Sequence, residues 1–334
     1  MAMEDLPLSA AGPFDVGRCI LAGGNKVRSL ETWMKNKGIW FAAGAYVIWG
    51  LFPIYWKQLS SVPALQLLGH RIVWSFLFLI AVVFFTKQIN AFRVEAANKR
   101  VLGVYAIAAL LIGVNWLTYV WAVNAGYIVE TSLGYFINPL LSVLLGVIFL
   151  RERLRPLQWL PVGLATLGVA YLTLVYGRPP WIALVLAFTF GLYGLVKKIA
   201  PLGSLHGLTL ETGILFLPAL IFLTFMGISG EGAFLEGSLK TDILLVGAGI
   251  VTAVPLLLFA SAARRIPLVM IGLMQFIAPT IQFMIGVFIY DEPFSHNQLI
   301  GFSIVWLALI IFWIEGYMAN RKSIPAPIPE LGEG

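Results

Sequence analysis

Residues 132–155 read SLGYFINPLLSVLLGVIFLRERLR, and residues 272–295, an offset of 140, read GLMQFIAPTIQFMIGVFIYDEPFS. Pro139 falls on Pro279, Phe136-Ile137 on Phe276-Ile277, Gly146-Val147 on Gly286-Val287 and Glu152 on Glu292. The same offset carries Ala122 onto Ala262 and Gln158 onto Gln298, and an offset of 141 carries Gly50-Leu51 onto Gly191-Leu192 and Lys57 onto Lys198. The apolar runs agree; the turns that end them do not. Arg151-Glu152-Arg153-Leu154-Arg155 is basic, whereas Asp291-Glu292-Pro293-Phe294-Ser295 has no positive charge. Basic turns stay on the cytoplasmic side of a membrane, so the two copies are expected to face opposite ways.

A membrane is what the composition demands. The 334 residues are 60% hydrophobic and 11% charged, with mean hydropathy +0.90. Soluble proteins run at about 45–50% apolar and about 25% charged, so here the lipid bilayer is expected to be the solvent. Net charge is +6 and the pI about 9.4, but the basic residues lie in short turns between apolar runs. That pattern reads as an orientation signal and not as a nucleic-acid surface. The single Cys19 sits in the N-terminal tail and offers neither a disulfide framework nor a metal site. No cofactor or metal is expected. Gly23-Gly24-Asn25-Lys26 is not a P-loop, and neither HExxH nor GxSxG occurs, so neither ATP-driven transport nor an intramembrane enzyme has a motif to stand on. A receptor or scaffold would be expected to carry a soluble domain or a long loop, and none interrupts the spans.

A helix needs roughly 20 apolar residues to cross the hydrocarbon core. Spans are expected near 38–57, 64–86, 101–124, 127–150, 157–176, 180–197, 207–227, 241–262, 267–290 and 297–318. Lys26, Arg28, Lys35, Lys37, Lys87, Arg93, Lys99, Arg100, Arg151, Arg153, Arg155, Lys197, Lys198, Arg264, Arg265, Arg321 and Lys322 fall on one side. Lys57, Arg178 and Lys240 fall on the other. Both termini are therefore expected in the cytoplasm. The fold class this predicts is an all-α membrane protein of ten transmembrane helices in two inverted five-helix repeats. Residues 1–37 form a cytoplasmic tail, 38–176 and 177–318 the two repeats, and 319–334 a second cytoplasmic tail. Inverted repeats meeting at the bilayer midplane are a recurring transporter architecture, because exchanging the conformations of the halves exchanges inside-open for outside-open. The small-molecule substrate and the bilayer are the expected partners, with no oligomer required.

Polar groups inside hydrocarbon are costly and need an interior role. On the fourth span Thr131, Tyr135, Asn138 and Ser142 share a face, and Gln275 and Gln282 on the ninth are the repeat mates of Tyr135 and Ser142. With Asn115, Trp116 and Tyr119 on the third span they are candidates to line a cavity; the alternative is that they are interhelical hydrogen-bond partners. Pro139 and Pro279, in symmetric places, and Pro53, Pro218 and Pro255 remove backbone hydrogen bonds and mark kinks, static or gating. Tyr55 and Trp56 are expected in the interfacial belt, and an aromatic wall suits an amphipathic solute. Arg71 and Glu130 are expected to form an ion pair, either structural or proton-coupling, because a lone buried charge is too costly. His70 and its repeat mate Glu211 are the other candidates for coupling or gating.

Asn115-Trp-Leu-Thr-Tyr-Val-Trp-Ala-Val-Asn124, Ser132-Leu-Gly-Tyr-Phe-Ile-Asn-Pro139 and Leu150-Arg-Glu-Arg153 together resemble the RarD-like branch of the EamA transporters, in the drug/metabolite transporter superfamily. His70-Arg71-Ile-Val-Trp74, Leu210-Glu211-Thr212, Thr252-Ala-Val-Pro255, Gln275-Phe-Ile-Ala-Pro-Thr280 and Asp291-Glu-Pro293 fit the same pattern, over about residues 38–318. The resemblance implies a ten-helix permease of the bacterial inner membrane, with relatives that export aromatic and other amino acids. It also implies a central cavity lined by the first, third, fourth, sixth, eighth and ninth helices. On this chain that points to Asn115, Tyr119, Tyr135, Asn138, Ser142, Gln275 and Gln282.

Overall fold

The structure, a computed structural model, describes residues 37–125, 128–176, 181–236, 238–290 and 296–322. Both expected tails, apart from a few residues next to the helices, lie outside these, as do Cys19 and the repeat turn Asp291–Ser295. Among the described residues the chain is all helix, with no strand. Long helices occupy the ten expected stretches: α1 Lys37–Leu59, α2 Ala64–Phe85, α3 Lys99–Asn124, α4 Ile128–Phe149, α5 Trp159–Tyr176, α6 Trp181–Ile199, α7 Ser204–Ile228, α8 Leu239–Ala263, α9 Leu268–Ile289 and α10 His296–Lys322. Nine are long and apolar enough to cross a membrane; in α4 the apolar stretch is the shorter Gly134–Phe149.

The side chains behave as lipid solvation requires. Leu110, Leu167 and Leu217, in the middle of α3, α5 and α7, are 65%, 63% and 61% exposed, as suits helices whose outer faces meet hydrocarbon. With lipid on one side and apolar helix on the other, burial gives little reason for helices to associate, so close approach and polar links do it. α2 meets α8 where a Cβ on Gly249 would run into the Trp74 backbone, and Ser75 donates to the Gly249 carbonyl at 3.0 Å. α4 crosses α9 at Gly272, where a Cβ would come within 2.6 Å of the Pro139 carbonyl oxygen. α5 packs on α10 through Gly168 and Gly301, and α2 on α7 through Gly69 and Gly213.

One element goes beyond the expectation. Residues 87–100 read as a loop, yet Ile89–Ala96 is a helix. Phe92 and Ala96, four apart, share a helix face and pack on Tyr105 and Leu202, while Glu95 meets His206 at the start of α7. Eight residues are too few for a hydropathy window to register.

Proline chemistry explains the two helix breaks. Pro279 lacks an N–H and its ring crowds the carbonyl of residue i−4, which is Gln275. α9 breaks there, into Leu268–Met274 and Ile277–Ile289. In α1 the break falls at Leu51, just before the segment Phe52–Trp56 that contains Pro53. Pro139 and Pro255 sit inside unbroken helices.

Candidate substrate cavity

Helices α1, α2, α3, α4, α6, α8 and α9 enclose a cavity of about 390 Å³, near the lower end of the roughly 300–1,000 Å³ of small-molecule sites. Its wall is mostly apolar and rich in aromatic side chains. Trp49, Trp56, Trp116, Tyr119, Tyr135 and Phe190 line it, with Tyr119 and Tyr135 edge to face at 6.0 Å. Pro53 and Pro279, the prolines of the two broken helices, line it as well.

Its polar groups fall into two kinds. Some are tied to helices. Asn115 donates through Nδ2 to the Leu186 carbonyl and to Thr189 Oγ1, each at 2.9 Å. Gln282 donates through Nε2 to the Trp49 carbonyl at 2.9 Å. That carbonyl is the one Pro53, four residues on, has no N–H to serve. Others have unused capacity. Asn138 Oδ1 and Gln275 Oε1 are buried and accept no hydrogen bond from any described residue, a condition that costs about 1–3 kcal/mol per group.

Arg71 is the cavity's cation. Its Nε donates to Thr252 Oγ1 at 3.1 Å, and its Cζ lies 4.9 Å from the Trp56 ring centre and 5.1 Å from that of Trp116. The Glu130 side chain, its expected partner, lies outside the described residues. Among the described residues no carboxylate reaches Arg71.

The other expected residues lie elsewhere. Ser142 is 3% exposed, pressed under Gly272 at the α4–α9 crossing instead of in the cavity. Pro139 and Pro255 are buried in their helices. His70 is buried beside Phe234, its ring 5.4 Å away. Glu211 is 1% exposed and joins Lys197 Nζ at 2.7 Å, with the Tyr193 hydroxyl donating to its other oxygen at 3.0 Å. Lys197, counted from sequence among the loop charges, is itself 3% exposed.

Trp56, expected in the interfacial belt, lines the cavity instead, and among the lining residues that sequence reasoning missed are Tyr46 and Phe190. The repeat could have found the second: offset 141 makes Phe190 the mate of Trp49, and the two rings meet edge to face at 5.9 Å. Tyr46, Trp49, Phe190, Tyr193 and Phe259 form one aromatic cluster, of which Tyr46, Trp49 and Phe190 line the cavity. A polar tie joins the turn after α4 to the start of α9. Glu152 accepts from the Leu268 and Val269 amides at 2.8 and 2.9 Å, capping the N-terminus of α9 where a carboxylate suits the helix dipole.

Comparison with known proteins identifies the family and the fold. Residues 36–174 match the EamA-like transporter family. An uncharacterized transporter of Bacillus subtilis is 48% identical over 86% of this chain and 97% of its own, and a protein called RarD of Streptomyces exfoliatus is 44% identical over 86% and 92%. A crystal structure superposes with a TM-score of 0.63 over 83% of this chain and 98% of its own; at 16% identity this speaks to the fold alone.

Proposed function

From the premise that this chain belongs to the EamA-like transporter family, with transporters of the RarD type as full-length relatives, we propose that it exports small amphipathic metabolites across the bacterial inner membrane by alternating access. The favoured cargo is amino acids, aromatic ones included. The cavity carries this reading: a largely apolar space lined from both halves of the chain, with aromatic side chains from α1, α3, α4 and α6 in its wall.

The proposal includes ten spans, two inverted five-helix repeats and cytoplasmic termini. Three packing pairs support it. α2 packs on α7, α4 on α9 and α5 on α10, each helix against its own repeat mate, as elements close to a pseudo-twofold axis must be. In a two-state device the aromatic cluster of α1, α6 and α8 and the Glu152 cap would belong to one state, and the opposite state would open them.

The test is counterflow in proteoliposomes. Vesicles preloaded with unlabelled phenylalanine, tyrosine or leucine should accumulate the labelled amino acid faster than protein-free vesicles. No counterflow for any amino acid, with a working control carrier, would discard the cargo. The same vesicles settle coupling: flux that is indifferent to a pH gradient makes the protein a facilitator.

A further inference from the structure

We propose that Arg71, Asn138 and Gln275 form a recognition site for the charged head of a zwitterion, with Arg71 taking a carboxylate and the two amide oxygens taking an ammonium. The inference rests on the cavity being the transport site and specifies what that site reads.

The Arg71 guanidinium lies over two indoles, those of Trp56 and Trp116, and its Nε is committed to Thr252. Indole faces shelter the flat cation, which leaves the edge that bears the remaining N–H groups as the productive approach. A planar carboxylate fits such an edge with two parallel hydrogen bonds. No described carboxylate occupies it. Asn138 Oδ1 and Gln275 Oε1, from α4 and α9, show the complementary deficit. Both residues line the same cavity and are 3% and 7% exposed. Buried acceptors without donors are rare in native proteins and call for a missing partner. A ligand ammonium supplies up to three donors. A cation, two unserved acceptors and aromatic side chains lining one cavity describe a molecule with a carboxylate, an amine and an apolar body.

The arrangement discriminates by unpaired groups. A site built to hydrogen-bond a group rejects an analogue that lacks it far more strongly than it rejects a change of apolar size. An amine without a carboxylate leaves Arg71 unanswered, and a carboxylate without an amine leaves the two oxygens orphaned.

Equilibrium binding to the full-length protein in nanodiscs, by calorimetry, tests this with three probes of one skeleton: L-phenylalanine, phenethylamine and hydrocinnamic acid. The wild type should bind phenylalanine about 10- to 100-fold more tightly than either analogue. Arg71→Gln should erase the advantage over phenethylamine while keeping that over hydrocinnamate. The double variant Asn138→Leu, Gln275→Leu should do the reverse. Equal binding of all three probes to the wild type overturns the proposal. So does restoration of phenylalanine binding to Arg71→Gln by adding Glu130→Gln, which would make Arg71 an internal counter-ion. Because binding is read without flux, the two readings fail separately. Binding with the predicted preference but without counterflow sinks the transport reading alone. Counterflow of amino acids without the preference sinks the zwitterion site alone.

Discussion

Arg71 on α2 and the Lys197–Glu211 pair, which joins α6 to α7, are charges in an apolar helix bundle treated in opposite ways. Glu211 accepts from Lys197 at 2.7 Å and from Tyr193 at 3.0 Å, and both members of the ion pair are at most 3% exposed. Nothing about it is left over for a ligand. Arg71 has Thr252, two indole faces and an open cavity. A buried charge completed by protein groups suits a structural tie; one that no described carboxylate answers, beside a cavity, is the charge the proposed zwitterion site uses. The contrast also bears on coupling. Glu211 does not line the cavity, so its place in the bundle favours a structural tie over a proton carrier.

The comparison can be broken most decisively at Glu211. Glu211→Ala leaves the Lys197 ammonium buried without its carboxylate, which should cost about 3–5 kcal/mol, read as a lowered unfolding temperature in detergent. The double variant Lys197→Met, Glu211→Leu should recover most of that loss, since apolar residues of similar volume replace buried pairs at little cost. Arg71→Gln should go the other way. Removing a buried cation with no described carboxylate should stabilise by about 1–2 kcal/mol, the usual trade between a site's strain and its use. Destabilisation of the size seen for Glu211→Ala would place Arg71 among the structural charges. Thr252→Val, which removes the acceptor at 3.1 Å from Arg71 Nε, should cost about 1 kcal/mol in the wild type. In the Arg71→Gln background it should cost nearly nothing, because the bond is already gone.

The helices were legible because apolar runs of about 20 residues leave little alternative. The cavity was legible where a helix face carries its meaning locally: Asn115, Trp116 and Tyr119 on α3, and Tyr135 and Asn138 on α4, all line it. The stripe on α4 misleads at Ser142. Helical spacing continues the face, but Gly272 lets α9 come so close that the last member of the stripe is sealed under a crossing helix. No periodicity reports the distance to a neighbour. Lys197 misleads for a related reason: a lysine at a helix end is ordinarily an orientation charge, and only the fold brings Glu211 and the Tyr105 and Tyr193 rings around it. Arg71 could be seen to need shelter. That the shelter is two indoles and a threonine, from α1, α3 and α8, depends on contacts far apart in sequence.

The subtlest tie is the one that joins the two broken helices. Pro53 has no N–H, so the Trp49 carbonyl loses its donor four residues on, and Gln282 of α9 supplies one at 2.9 Å. Gln282 also lines the cavity, so the same side chain is wall and splint. Gln282→Ala should cost about 0.5–1.5 kcal/mol of stability, the net worth of one hydrogen bond. The informative measurement is the cycle with Pro53→Ala. Alanine restores the missing N–H and lets the α1 backbone answer its own carbonyl, so in that background the loss on removing Gln282 should shrink by about half or more. An undiminished loss would mean that Gln282 is fixed by packing and that the proline's vacancy is met in some other way. A diminished loss would tie the break in α1 to the far half of α9, making the two proline-broken helices one mechanical unit across the cavity, in contrast to the unbroken α4.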